Sequence, residues 1–387
     1  MLALDDIRIL DLSRLAPGPF CTMLLGDLGA DVLLIEPPSD SKAGQAPGVG
    51  GEAYNALGRN KRSIVLNLRD ESAREVFYKL AETADVVLEG FRPGVVKRLG
   101  VDYETLREKN PRLVYCSLSG YGQTGPYSQV VGHDINYISV GGALGLNGWP
   151  GQPPAIPMNI IADFAGGGLH AAYGILAALH ARDRTGRGQY VDIAMSDGVL
   201  YLLAQHISGY YATGRVPERG ATVLNGSVPH YNVYECADGG WISLGSLEPH
   251  FWANLCKAMG REDLIAHQYD SAKRDEIFDH FRARFKTKSR DEWFAVLQQT
   301  DICAAPVYAL DEALADPHNV AREMVVEVEH PQAGRVKQVG VGTKLSETPG
   351  SVRTIAPGPG QHTDDVLAAF GYDAGQIASL RETGAVA

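Results

Sequence analysis

The chain has 387 residues, of which 45% are hydrophobic and 21% charged, and it carries a net charge of −11. A chain of this length buries a core large enough for two domains, and its acidic balance excludes nucleic acid as the main partner, because phosphate backbones need a basic surface. Five cysteines (Cys21, Cys116, Cys236, Cys256 and Cys303) are scattered without a CxxC pair, which fits reduced, buried thiols and not a disulfide framework or a zinc site. The opening residues have no signal-peptide pattern, and no apolar run approaches the roughly 18 residues of a membrane span, so a cytoplasmic location is expected.

Residues 7–12 read as a short strand, and Pro17, Gly18 and Pro19 then open a helix that Gly29 ends before a second strand at 32–35. A strand, a helix and a strand in close succession make a right-handed βαβ unit. The alternation continues with a strand at 63–68, a helix at 71–83, a strand at 86–88, helical turns at 95–99 and 103–109, and a strand at 113–118. A helix from Leu169, a strand at 190–195 and a helical run at 199–211 follow. This order predicts an α/β fold with a mostly parallel, doubly wound, Rossmann-like sheet whose ligands lie at the carboxyl ends of the strands. Residues 1–212 are assigned to this large domain and 213–229, rich in Gly, Pro, Asn and Ser, to a linker. A hairpin at 231–235 and 240–244, then helical patterns at 251–259, 275–285 and 290–299, predict a smaller α+β domain over 230–325. Residues 326–387 return to the large domain.

The stretch GHDINY…ADFAGGG, residues 132–168, places a histidine, His133, and a carboxylate, Asp163, at the two ends of one glycine-interrupted segment. Asp163 precedes Gly166, Gly167 and Gly168 and a long apolar run, the pattern of an acidic helix cap whose glycines admit close approach to the backbone. Taken alone, both residues suit structural roles as well as catalytic ones: an aspartate before a helix caps it, and a lone histidine packs. As a pair they offer two proton-transfer groups of different basicity. RNKR at 59–62 precedes a strand, and FRPG puts Arg92 on a loop at a strand end, with Lys97 and Arg98 a turn later. Guanidinium groups on such loops suit phosphates, although each run alone also reads as a solvated basic face. There is no dinucleotide GxGxxG fingerprint, Walker-type phosphate loop, HExxH or GxSxG elbow.

The segments DLSRLAPGPFCTMLLGDLGADVLLIE, RNKRSIVLNL, EGFRPGVVKRLG, SLSGYGQTGP, GHDINY, ADFAGGG, GRGQYVDIAMSDG, YNVYECADGG and SLEPHF together resemble the family III CoA-transferase superfamily, and within it the α-methylacyl-CoA racemases. The resemblance implies a CoA-thioester enzyme with a Rossmann-like large domain and a small domain. It also implies an interlocked homodimer, with sites where the large and small domains of different subunits meet. His133 and Asp163 match the catalytic histidine and aspartate, and Glu248 matches a glutamate that supports the histidine. Arg59, Asn60, Lys61, Arg62, Arg92 and Arg98 match the region that meets CoA, and Gly132, Asp134, Ile135, Asn136 and Tyr137 the segment lining the thioester. One departure stands out: an arginine that often follows the acidic residue after the second strand is absent here, where Glu36 is followed by Pro37 and Pro38. The racemase reading takes an acyl-CoA thioester as substrate, with no metal and no cofactor beyond the CoA it carries, and no nucleic acid or membrane partner. Backbone N–H groups near the helix start after Asp163 are expected to face the enolate oxygen. The transferase alternative makes Asp163 a nucleophile that forms an acyl anhydride. The histidine and Glu248 favour the racemase chemistry.

Overall fold

Runs of branched aliphatic residues build the centre of the larger of two units into which the chain divides. The computed structural model describes residues 1–38, 54–331 and 333–387. The larger unit comprises residues 1–141, 158–203 and 318–387. Its strands are β1 (Arg8–Asp11), β2 (Asp31–Glu36), β3 (Lys61–Val65), β4 (Val86–Glu89), β5 (Val114–Ser119) and β6 (Tyr190–Ala194). They form one six-stranded sheet of order β3-β2-β1-β4-β5-β6, parallel throughout. β4 and β5 are buried along their whole length, as expected of parallel strands covered by helices on both faces. Leu10, Leu33, Ile64, Val87 and Tyr115 from the strands share one core with Phe77 and Leu80 of the Glu71–Glu82 helix. Strand order reverses between β1 and β4, so the crevice of this fold opens between the loops that follow those two strands.

RNKR turns out to be a structural clamp. The Arg59 guanidinium, 1% exposed, makes a bidentate pair with Asp27 at 2.9 and 2.6 Å and donates to the Val339 carbonyl. Asn60 takes a left-handed φ of 57°, donates to Asp27 and the Ser351 carbonyl, and accepts from the backbone N–H groups of Arg353 and Thr354. Lys61, 3% exposed, donates to Thr22 Oγ1 at 2.6 Å and the Pro19 carbonyl at 3.0 Å, with Asp11 3.6 Å away. Burial lowers its ammonium pKa while Asp11 holds it up. Arg62 is half-exposed and forks onto Asp31. These four side chains fasten the Pro17–Asp27 helix, β2 and the returning C-terminal segment around β3, which corrects the reading of the run as an open basic face.

The smaller unit comprises residues 142–157 and 204–317. Its antiparallel sheet joins Tyr231–Glu235, Trp241–Gly245 and Ala304–Val307, so the expected hairpin gains a third strand from late in the chain. Trp252, Phe281, Phe285 and Trp293, from helices Pro249–Met259, Arg274–Phe285 and Arg290–Leu297, form its core with Tyr234. The domain borders therefore differ from the sequence expectation. Residues 142–157 and 204–212 belong to the smaller unit, and 318–325 to the larger. At the 203/204 border the physical reason is a break at Leu203, which divides the expected 199–211 helix into Met195–Leu202 and Ala204–Thr213.

One helical run was also longer than expected. Ile160–Thr185 spans 26 residues with mean hydropathy 1.3 in its most apolar window, long and apolar enough to cross a membrane by composition alone. Its Gly166–Gly168 face packs against the Pro17–Asp27 and Met195–Leu202 helices.

The clamp yields a test. Arg59→Ala leaves the buried Asp27 carboxylate with the Asn60 amide but without its counter-charge, which costs about 3–5 kcal/mol of stability for a buried pair broken on one side. Urea unfolding would register that loss as an earlier midpoint. An unchanged midpoint with a raised KM for CoA substrates would return Arg59 to the ligand.

Candidate active site

The site grows from two helix starts in the larger unit. His133, with an extended φ of −130°, caps the short helix Asp134–Val140, and its backbone N–H donates to Asn136 Oδ1 at 3.1 Å. Its imidazole is exposed. The next residue, Asp134, is buried at 4% exposure, and its Oδ2 accepts from the backbone N–H groups of Ala162 and Asp163 at 2.7 and 2.8 Å. Asp163 lies on a π-helix, Ile160–Leu169, that runs directly into the α-helix His170–Thr185. π-Helical turns collect at functional sites. Asp163 is therefore not the cap of this helix, as the sequence suggested. Asp134 supplies the cap, and the Asp163 carboxylate points away to accept from Asn159 Nδ2 at 3.2 Å. The same two bonds occupy the Ala162 and Asp163 N–H groups, so they are not free for an enolate oxygen.

The glycines after Asp163 serve packing. A Cβ on Gly168 would meet the Pro17 carbonyl oxygen at 2.6 Å, and one on Gly167 the Met195 side chain at 2.9 Å. A Cβ on Gly198, facing them, would lie 2.1 Å from the Gly166 carbonyl oxygen. What approaches this backbone is the protein's own neighbouring helices, so Asp163 sits on a turn wedged between them.

Electrostatics follow from this placement. Partial burial raises the Asp163 pKa, as does the neighbouring Asp134 charge, while the Asn159 hydrogen bond and His133 pull it down. His133 and Asp163 thus lie within each other's field, as the sequence pairing required. Tyr137 is buried, and its hydroxyl donates to the Gly132 carbonyl. Its phenol is pushed up to about 12 by burial, with Asp163 and Tyr121 adding to the shift and Arg92 opposing it. The Tyr121 ring stands edge-on to Tyr137 at 5.1 Å. Ile135 and Asn136 are exposed beside them. Of the 132–137 segment, Asp134 binds the Asp163 backbone and Tyr137 lies in the field of Asp163, while Asp134 itself is buried.

At the β1/β4 switch point the exposed Arg92 follows β4, and neither its guanidinium nor that of the exposed Arg98 has a hydrogen-bond partner among the described residues. Arg14, which sequence reasoning passed over, follows β1, and its guanidinium lies 5.4 Å from the Phe91 ring centroid. The signal available was its place on the loop three residues after β1 ends at Asp11. Glu248 belongs to the smaller unit, where it precedes the Pro249–Met259 helix with an exposed carboxylate and adds to the rise that burial gives the Cys303 thiol pKa. Cys21 is fully buried and its thiol pKa is pushed well up by burial, as a structural thiol's would be. A cavity of about 540 Å³ in the smaller unit is lined by Trp149, Tyr231, Leu244 and Cys303, among others.

A Rossmann-type parallel sheet whose strand order reverses between β1 and β4 defines a class of α/β proteins. The match to CoA-transferase family III covers residues 4–363, and the chain belongs to that family. It is 37% identical to the human α-methylacyl-CoA racemase and 36% identical to the mouse enzyme, in each case over 98% of this chain and 96% of the relative. It is also 35% identical to a succinyl-CoA–D-citramalate CoA-transferase of Chloroflexus aurantiacus, over 94% of this chain and 93% of that protein. A CaiB/BaiF family protein from Brucella suis superposes with a TM-score of 0.81 at 30% identity, covering 95% of this chain and 99% of that one. A hypothetical protein from Mycobacterium tuberculosis does so with 0.80 at 29% identity, covering 95% and 99%. The protein is thus an enzyme of the family III CoA-transferase superfamily, with both racemase and transferase relatives at similar identity.

Glu89, at the end of β4, holds the loop that carries Arg92. It is 1% exposed and accepts from the Phe91 N–H at 2.7 Å. Burial raises its carboxyl from 4.5 to about 7, against the pull of the Ser117 and Phe91 hydrogen bonds. Because the folded state binds the extra proton, stability falls as pH rises from 4.5 through about 7. Glu89→Gln should remove that fall, read as melting temperatures at pH 5 and pH 8 that differ less than in wild type. An unaltered difference would show that the carboxyl ionises in the fold as freely as outside it.

Proposed function

We propose that the enzyme inverts the α-carbon of 2-methylacyl-CoA thioesters, a racemase or epimerase working by proton transfer through an enolate. The observation that carries this reading is the placement of His133 and Asp163 in each other's field on two separate helix starts, with Asp163 biased toward its protonated form. Inversion needs a base that removes the α-proton from one face and an acid that returns a proton to the other. In one direction His133 takes the proton, electrons pass into the thioester carbonyl as an enolate, and Asp163 donates to the opposite face. In the reverse direction the roles exchange. Each proton-transfer group of this kind is worth about 10²–10⁴-fold. Arg92 and Arg98, joined by Arg14, meet the CoA phosphates, whereas Arg59, Asn60 and Lys61 act through the fold. Arg62, half-exposed, is the one member of RNKR with a guanidinium edge open to a ligand.

The working form is a homodimer. Leu169, Tyr173 and Leu176 on the helix after Asp163, with Leu200, Tyr201 and Leu202 from the helix packed on it, are all exposed. An apolar face of that kind on a soluble chain suits burial against a second copy.

The transferase reading keeps Asp163 but makes its carboxylate a nucleophile. It is favoured by the citramalate CoA-transferase relative, which is as similar as the racemases. Incubation with (R)- and (S)-2-methylacyl-CoA in deuterated buffer, with and without a free carboxylic acid, separates the two. The racemase reading expects α-deuterium in both enantiomers without the acid. CoA transfer to the acid with no α-deuterium would establish the other chemistry.

A further inference from the structure

The aspartate beside the histidine has a role that neither proton transfer nor CoA contact covers. We propose that Asp134 is the positioning residue of the acid–base pair: its carboxylate fixes the backbone that bears Asp163 and supplies the standing negative charge against which Asp163 exchanges its proton. The inference rests on the racemase reading for its kinetic consequences and on geometry for its core.

Two observations point the same way. First, one oxygen, Oδ2, accepts both the Ala162 and the Asp163 N–H. Asp134 is the first residue of the helix that His133 caps, so a single side chain ties the histidine's helix to the backbone of the acid. A shift of about 1 Å in a catalytic group can cost on the order of 10²-fold in rate, which is what such a tie prevents. Second, the other oxygen, Oδ1, is buried with no hydrogen-bond partner among the described residues. A buried carboxylate oxygen left unpaired costs stability. An asparagine would accept the same two N–H bonds through its own oxygen, so capping alone does not require a charge.

What the charge adds is its field on Asp163. The charged and titratable groups acting there are Asp134 and His133 from the facing helix and its cap, with Tyr137 one turn along. The Pro17–Asp27 and Met195–Leu202 helices, packed on the glycine side, bring carbonyl groups and the Met195 side chain to that turn. Asp134 is thus the anion in this set, and a fixed anion favours the protonated form of its neighbour. A carboxyl group that holds its proton more firmly than one in water is better matched to returning it to an enolate.

The test uses the full chain with Asp134→Asn and Asp134→Ala, and Asp163→Asn to assign the Asp163 carboxyl resonance by carbon-13 NMR. In Asp134→Asn the Asp163 titration should move to lower pH, and kcat for α-proton exchange should fall about 10-fold while KM stays within about 2-fold. Asp134→Ala should lose more kcat, because it releases the backbone as well. Retention of the wild-type titration midpoint with kcat within 2-fold in Asp134→Asn overturns the proposal. So does a raised KM at constant kcat, which would make Asp134 a substrate contact. If Asp134→Ala does not fold, the asparagine variant decides alone. If wild type shows no exchange at all, the racemase reading fails, and the NMR titration still decides whether Asp134 biases Asp163.

Discussion

The two hydrogen bonds from Ala162 and Asp163 to the Asp134 carboxylate are the constraint on which the site depends. They join two segments about thirty positions apart in sequence, one begun by His133 and the other carrying Asp163. Without them, the π-helix would start with unpaired N–H groups and no fixed direction for its aspartate. A carboxylate, more than a neutral cap, also suits the positive end of a helix. The geometry of the acid–base pair is therefore set by local backbone chemistry, and the Rossmann-like sheet supplies the platform beneath it.

That platform constrains the same turn from the other side. Gly166, Gly167 and Gly168 let the Pro17–Asp27 and Met195–Leu202 helices approach so closely that a Cβ has no room. The Pro17–Asp27 helix is in turn held by Asp27 to Arg59 and Asn60, and by Thr22 to Lys61. A chain of contacts thus runs from a buried ion-pair clamp at the edge of β3 to the helix carrying Asp163. Residues that look like ligands in the sequence thus hold a helix in place.

Periodicity and turn residues made much of the fold legible. All six parallel strands, the helix at 71–83 and the hairpin of the smaller unit were readable, because aliphatic runs and glycine or proline stops are local signals. The borders of the two units were not. The break at Leu203 separates two helices of continuous apolar character, and residues 142–157 join the smaller unit through packing that composition does not encode. His133 and Asp163 could be singled out as a pair, whereas the cap could not be assigned: an aspartate before a glycine-rich helix reads as its own cap, and only the fold reveals that Asp134 does that work. RNKR misled for a related reason. Charge in a sequence carries no sign of burial, and Arg59 and Lys61 find their counter-charges in Asp27 and Asp11, which lie in other elements.

The account stands on His133 and Asp163 serving opposite faces of one α-carbon. The most direct measurement is α-deuterium incorporation into separately supplied (R)- and (S)-2-methylacyl-CoA by the His133→Ala and Asp163→Ala variants. Opposed acid–base groups predict complementary defects: each variant still exchanges one enantiomer slowly and fails with the other, and the surviving enantiomer differs between them. Equal loss on both enantiomers in Asp163→Ala, with His133→Ala little affected, would contradict the account and leave Asp163 as an acyl-transfer nucleophile.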